Sequence, residues 1–177
     1  MQKPFIYIAI ALFIISCGKD EDPFLIQKHK IGRLTDSTQV KDLKNIFKND
    51  SVADYNGTTE FTRSINAIEV YDKNGTALLS LSPQRRRDST ALVSSVRILD
   101  PRYKTKEGIS TSSTFKDINE QYNISKIDNL INSIVVSVKD INASFTIDKK
   151  ELPSNLRFDR NITIEASQIP DLSLIHI

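Results

Sequence analysis

Apolar and polar positions divide this chain into a leader and a folded region. Residues 5–15 are apolar throughout, and only one lysine precedes them. This run of about a dozen residues is shorter than the roughly 20 that a membrane-spanning helix needs. Directly after Cys17 the chain becomes charged, in the order Gly-Lys-Asp-Glu-Asp. The pattern predicts a cleaved signal over residues 1–16, a charged tether over residues 17–30 and one folded domain over residues 31–171.

Beyond residue 30, short stretches of alternating apolar residues predict β-strands. The clearest hairpin surrounds Asp72-Lys73-Asn74-Gly75, because Asn-Gly tolerates the positive φ angles of a tight turn. A second predicted hairpin surrounds Lys139-Asp140-Ile141-Asn142. We expect strands at residues 65–71, 76–82, 91–99, 133–138, 143–147 and 161–166, and polar connections at residues 49–59 and 83–89.

Two segments carry the helical spacing of apolar residues, at 38–47 and at 115–122. A serine or threonine lies just before each segment, at 37–38 and at 113–114, where its side chain is expected to cap the helix. The residues expected on the buried faces are Val40, Leu43 and Phe47 in the first helix and Phe115, Ile118 and Tyr122 in the second.

Both predicted helices open with the pattern Lys-Asp-aliphatic-x-x-x-aromatic, starting at Lys41 and at Lys116, and Gly32 and Gly108 lie a few residues upstream. Predicted strands follow each helix. We interpret this as a duplicated helix-plus-hairpin unit; the alternative is two unrelated capped helices. The predicted fold class is α+β, with two short capped helices packed on a mainly antiparallel sheet.

Composition narrows the class of protein. Tryptophan is absent, and five glycines among 177 residues argue against a collagen-like chain. Removal of residues 1–16 deletes Lys3 and lowers the formal net charge from +2 to +1. A near-neutral chain lacks the electrostatic field that concentrates a protein on nucleic acid. The only cysteine is Cys17, so the domain beyond it has no disulfide and no cysteine metal site.

Residues 172–177, Leu-Ser-Leu-Ile-His-Ile, are what one reading frame of a widely used sequencing adapter encodes. We therefore suspect an adapter-derived end, with native sequence stopping near Asp171 and a final element of the domain missing. The alternative is a genuine apolar terminal strand. Codons that differ from the adapter would establish that alternative.

The motif Ile14-Ile15-Ser16-Cys17 resembles the lipobox of bacterial lipoproteins, in which an aliphatic residue, a tolerant position and a small residue precede cysteine. Isoleucine stands where leucine is usual. The resemblance implies a diacylglycerol and an N-linked acyl chain, such as palmitate, on Cys17, and no other cofactor. Several acyl chains hold a protein on a membrane durably. The alternative is an ordinary secretory leader with an incidental cysteine.

Lys19, Asp20 and Glu21 resemble the surface-export signal of Bacteroidota lipoproteins, in which a lysine and two acidic residues follow the acylated cysteine. The resemblance implies display on the outer face of the outer membrane. Two alternatives remain: a tether kept disordered by its charge, and an anchor on the periplasmic face.

Two further resemblances concern the domain. Gly32 and Gly108, each followed by a predicted capped helix and strands, give a pattern that is similar to small extracytoplasmic domains of the β-lactamase-inhibitor-protein type. In those domains a Gly-x-Thr/Ser-capped helix precedes a curved sheet. Residues 103–109, Tyr-Lys-Thr-Lys-Glu-Gly-Ile, followed by Ser113-Thr114-Phe115, resemble a segment of uncharacterised Bacteroidota lipoproteins. That resemblance runs from about Gly32 to Asp171 and implies a location and a fold, without an activity.

Candidate catalytic chemistry is sparse. A Ser-His-Asp arrangement has only His29, at the end of the predicted tether, because His176 lies in the suspect end. No Gly-x-Ser-x-Gly motif occurs, and no His/Asp/Glu cluster has metal-ligand spacing. We therefore expect a protein that is not an enzyme and that binds no metal.

Two surface features stand out. Arg85, Arg86 and Arg87 form a candidate anion-binding loop, because guanidinium groups grip phosphate and carboxylate; the alternative is a solvated loop. Asp-Ser/Thr motifs at Ser37, Ser51 and Ser89 resemble the acceptors of Bacteroidota O-glycosylation, and the first also suits a helix cap.

Two functions fit these observations. The first is a surface-exposed outer-membrane lipoprotein whose domain binds a protein or a glycan without catalysis. The second is a periplasm-facing structural or assembly lipoprotein that docks on an outer-membrane machine. Both place the protein on a membrane through its lipid anchor, and neither involves nucleic acid.

Overall fold

The computed structural model describes residues 22–54, 67–158, 162–171, 175 and 177. The predicted α+β class is confirmed, because short helices accompany three mostly antiparallel sheets. The strands are β1 Leu25–Gln27, β2 Lys30–Ile31, β3 Leu34–Thr35, β4 Ser51–Asp54, β5 Ile68–Tyr71, β6 Ala77–Pro83, β7 Val93–Ile98, β8 Lys104–Thr105, β9 Lys126–Asn129, β10 Ser133–Val138 and β11 Ala143–Asp148. The helices are α1 Leu43–Ile46, α2 Phe115–Gln121 and α3 Ser154–Arg157, with 3-10 turns at Val40–Asp42, Lys149–Glu151 and Ala166–Gln168.

The three sheets follow chain order closely. The first larger sheet has the order β4-β5-β6-β7, and the second has the order β11-β10-β9; every pairing in both is antiparallel. A small sheet of order β3-β2-β1-β8 joins the N-terminal strands to the middle of the chain, with β1 and β8 parallel. The first larger sheet and α1 therefore form one half, and α2 and the second larger sheet form the other.

Each half has its own apolar core. Side chains of a strand alternate between its two faces, so every second residue of a strand can point into the core of its half. In the first half, Val70 and Leu79 face Leu43 and Phe47 of the α1 region. In the second half, the core-facing side of the sheet packs with the buried face of α2. The second core includes Phe115, Ile118, Ile134, Val136, Val138, Phe145 and Ile147, all of which are at most 2% exposed.

Both predicted helices are present. Within residues 38–47, a 3-10 turn at Val40–Asp42 continues into α1, with Leu43 and Phe47 buried as predicted and Val40 half-buried. The predicted cap of this helix is wrong: Thr38 Oγ1 accepts the N–H of Thr35 at 2.9 Å and so closes the preceding turn. At α2 the prediction is confirmed, because Thr114 is the N-cap residue of a capping box with Asp117, whose carboxylate accepts the backbone N–H of Thr114 at 2.7 Å.

Both predicted hairpins are confirmed. Asp72 organises the first turn: its side chain accepts the N–H groups of Asn74 and Thr76, and Gly75 has a φ of 81°. In the second hairpin, Asn142 adopts a φ of 54° between β10 and β11. The predicted strand at residues 91–99 is β7.

Three predictions about where segments begin or which structure they form are wrong. The tether does not extend to residue 30, because β1 and β2 lie within it and Ile26 is 4% exposed. Residues 49–59 were predicted as a polar connection, yet residues 51–54 are β4, paired with β5. The strand predicted at 161–166 is not formed by residues 162–166: Ile164 is buried in the second core, and a 3-10 turn begins at Ala166.

The two halves have the arrangement that a duplicated unit would require, since a positive-φ glycine, a helix and an antiparallel sheet occur in each. The duplication itself stays a prediction. The halves meet at the β1–β8 pairing and around Ile177, which packs against both cores. Ile175 is 1% exposed, so this part of the suspected adapter-derived end fills the second core.

Candidate functional site

The larger cleft lies at the seam between the two halves and encloses about 210 Å³. The β1–β3 strands form one wall, and β7 forms the opposite wall. The turn before β11 and the C-terminal Ile177 close its ends. We call this the seam cleft. Its floor is aliphatic, whereas Thr35, Ser95 and Asn142 contribute polar groups.

His29 lies at this cleft, where its Nδ1 is hydrogen-bonded to the carboxylate of Asp36. An imidazole oriented by a carboxylate is two-thirds of a hydrolytic triad. The third member is missing among the described residues: Ser94 lines the same cleft, but its hydroxyl donates to the carbonyl oxygen of Ser82 at 2.8 Å. The Asp36 carboxylate thus orients the imidazole of His29, while the Ser94 hydroxyl is directed to Ser82 instead.

The β7 wall is a sheet edge, because β7 pairs with β6 alone in its sheet. At both ends of β7, the edge that faces away from β6 is already hydrogen-bonded to backbone carbonyl groups of the same chain. At one end the N–H of Val93 donates to the carbonyl of Thr38 at 3.0 Å, next to a bridge between Gln39 and Leu92. At the other end the N–H of Ile98 donates to the carbonyl of Ile177 at 2.9 Å.

A smaller cleft of about 120 Å³ lies beside the first residues of the domain. There Arg102 stacks over the ring of Phe24, with its guanidinium carbon 5.0 Å from the ring centre. The guanidinium also pairs with Asp100 at 2.8 Å and with Asp72 at 3.0 Å. These contacts neutralise the arginine within the chain and tie the segment entering the domain to the first hairpin.

Several side chains have pKa values shifted by hydrogen bonds or by burial: three lie at or beside the smaller cleft, and Tyr122 packs against the second core. The hydrogen bond from Arg102 holds the pKa of Asp100 below its usual range, and the backbone N–H of Thr76 does the same for Asp72. Burial raises the pKa of Tyr103 to about 12. Burial, helped by a hydrogen bond to Glu107, also raises the pKa of Tyr122 to about 12.

The arginine loop is partly neutralised. Arg85 pairs with Asp88 at 2.7 Å, and Asp88 also accepts from the hydroxyl and backbone N–H of Thr90. Those two hydrogen bonds from Thr90, with help from Arg85, lower the pKa of Asp88 to about 2. Arg87 has a φ of 54° at the tip of the loop. The structure therefore does not bring three free guanidiniums together, and anion binding by residues 85–87 stays a prediction.

The remaining predicted sites fall in two groups. Ser37, Ser51 and Ser89 are all exposed, as an acceptor of a glycan must be. Cys17 and residues 19–21 lie outside the described residues, so lipidation and export stay predictions. Within the part of the chain that the structure describes, no group of three His, Cys, Asp or Glu side chains could hold a metal ion, and no helix is long and apolar enough to cross a membrane.

Sequence reasoning missed the seam cleft. Its walls include two-residue strands at β2 and β3, which are too short to show an alternation of apolar and polar residues. One usable signal was present in the sequence: Leu25, Ile26 and Ile31 are apolar positions inside the predicted tether, and such positions favour a strand over a solvated linker.

Comparison with known proteins adds no relative. No protein-family model, no curated protein and no solved structure matches this chain.

Proposed function

We propose that this chain is a lipid-anchored outer-membrane lipoprotein whose domain binds a protein or glycan partner at the cell surface without catalysis. The observation that carries the proposal is the motif Ile14-Ile15-Ser16-Cys17 after an apolar leader, followed at once by Lys19-Asp20-Glu21. A cleaved, triacylated Cys17 would hold the domain stably on the membrane.

The proposed tether between the lipid anchor on Cys17 and the folded domain is short. Phe24 packs edge-on against Tyr103, with the two ring centres 5.0 Å apart, so the domain begins by residue 24. Only six residues, 18–23, separate it from Cys17. At about 3.3–3.6 Å per residue they reach roughly 20–22 Å. The bound domain would stay close to the lipid surface. The smaller cleft, which contains Arg102, would then lie on the side of the domain that faces the membrane.

The seam cleft supports a binding role, because it combines an aliphatic floor with a polar rim, which is typical of a ligand site. The second candidate, a periplasm-facing assembly lipoprotein, is favoured by the same short tether, because it would place the domain beside membrane-embedded machinery.

Lipid labelling in a Bacteroidota host tests the anchor. The unmodified chain should incorporate an alkyne-tagged palmitate and partition into detergent, whereas Cys17→Ala should do neither, because the acylated sulfur is gone. A Lys19→Ala, Asp20→Ala, Glu21→Ala triple variant is the matched control and should keep its label. Equal labelling of the Cys17→Ala variant, or no label on the unmodified chain, would contradict the proposal.

A further inference from the structure

The outer edge of β7 presents backbone groups to the seam cleft. In an antiparallel pair, successive residues point their N–H and C=O groups alternately toward and away from the partner strand. The N–H of Ile98 points away from β6, since it donates to Ile177. The N–H and C=O of Val96 therefore point away from β6 as well, whereas Ser95 and Arg97 pair with it.

The chain already uses this edge at both ends. Thr38 and Ile177 accept the N–H groups of Val93 and Ile98 at 3.0 and 2.9 Å. Among the described residues no strand other than β6 pairs with residues 94–97, which lie between these two contacts. These four residues span about 13 Å at about 3.3 Å each, which leaves room for a short strand.

The surroundings specify the side chains that such a strand would carry. Ile26 and Ile31 of the opposite wall, Val96 of β7 and Ile141 beyond it give the cleft an aliphatic floor. Ser95 and Arg97 alternate with Val96 along β7 and are exposed, and Ser95 contributes to the polar rim of the cleft. A strand beside β7 alternates its side chains in the same way, so every second residue faces the aliphatic floor and the others face water.

Ile175 and Ile177 add aliphatic side chains beside this space: Ile175 is buried in the second core, and Ile177 packs against both cores. The carbonyl of Ile177 also accepts the N–H of Ile98 at one end of β7.

We propose that the seam cleft is a strand-addition site: an extended peptide segment of a partner protein, with an aliphatic side chain at every second position, pairs with residues 94–97 of β7. This rests on the proposed binding function and names the chemistry of its partner. Main-chain hydrogen bonds to Val96 supply the pairing, and the aliphatic floor selects alternate side chains.

The test uses the mature protein extracted in detergent and a capped peptide of alternating threonine and valine, flanked by lysines. Binding is followed by fluorescence anisotropy, and deuterium uptake of the β7 segment is followed by mass spectrometry. We expect saturable binding and at least about tenfold slower uptake at β7. The control peptide carries N-methyl groups on its central valine and threonine, which block both hydrogen-bonding edges, and should bind at least about tenfold more weakly.

Two variants of the protein give an independent measure. Val96→Pro removes the N–H that faces the cleft and leaves the pairing of Ser95 and Arg97 with β6, a placement that edge strands tolerate. It should weaken peptide binding at least about tenfold. Val96→Ala is the comparison variant, because it shortens a side chain of the floor but keeps the N–H, and it should weaken binding at least about threefold less than Val96→Pro does. Were Val96→Pro unable to fold, the two peptides would still decide the question.

Three results would overturn strand addition: equal binding of the methylated and unmethylated peptides, unchanged deuterium uptake of β7 at saturation, or no binding up to about 1 mM. Each leaves palmitate labelling at Cys17 untouched, so failure of this inference is distinct from failure of the anchor.

Discussion

Lys149 continues the core-facing side of β11 beyond Phe145 and Ile147, because side chains on one face of a strand recur at every second residue. It is 5% exposed, and its Nζ has no hydrogen-bond partner among the described residues. A buried polar group without a partner costs roughly 1–3 kcal/mol. The aliphatic stem of Lys149 therefore extends the second core, while its ammonium group destabilises it.

Lys149→Met should raise the free energy of unfolding by about 1–3 kcal/mol, because methionine keeps the apolar volume and removes the unpartnered charge. Urea unfolding followed by circular dichroism measures the change. Lys150→Met is the matched control: that side chain is 89% exposed, so its replacement should stay within about 0.5 kcal/mol. A loss of stability in Lys149→Met alone would mean that the ammonium has a partner.

Among individual residues, those that form tight turns could be predicted from the sequence more reliably than those that are buried or ion-paired. Asp72-Lys73-Asn74-Gly75 folds as expected because Asn-Gly turns are governed by local backbone preferences. The burial of Lys149 and the pairing of Arg85 with Asp88 could not be predicted in the same way. Both depend on which neighbours the fold brings into contact, and lysine is rarely buried.

The two helix-plus-sheet units differ in how tightly their leading glycines are packed. Gly32 and Gly108 both have positive φ angles, of 54° and 87°. A Cβ at Gly32 would overlap the backbone carbonyl of Pro23, whereas one at Gly108 would meet nothing within 4 Å. The first turn is thus closed against the N-terminal segment, and the second is open to solvent.

Gly108→Ala should cost about 1–2 kcal/mol of stability, the usual penalty of left-handed backbone for a residue with a Cβ. Gly32→Ala should cost a further 1–3 kcal/mol or so, because backbone atoms of Pro23 must move. Thermal and urea unfolding of the two variants, side by side, measure the difference. Equal costs would show that the N-terminal segment is not packed on Gly32.

Elements with strong local patterns were predicted, and those defined by distant pairing were not. The second helix and β10 follow from apolar spacing, and their bounds agree closely with the prediction. β8 has only two residues and exists because it pairs with β1, nearly 80 positions away. The apolar residues near Ile164 predicted a strand, but within the described part of the chain no strand pairs with them, and they pack into the second core instead.

The whole molecule consists of two cores joined at a seam, with the proposed membrane anchor at one end of the chain. The seam cleft needs β1–β3, β7 and the turn before β11 to converge, so no local stretch of sequence could reveal it. The anchor is the opposite case: residues 14–21 carry its whole signal in the sequence. Together they support the proposed arrangement, a binding domain on a tether of roughly 20–22 Å.

Protease digestion of intact cells tests the central claim, surface display of this anchored domain, most directly. In a Bacteroidota host, proteinase K added outside should remove the domain of the unmodified chain while a periplasmic marker stays intact. The Lys19→Ala, Asp20→Ala, Glu21→Ala variant should be protected until the outer membrane is opened. Protection of the unmodified chain on intact cells, with digestion only after the membrane is opened, would contradict the account and place the domain in the periplasm.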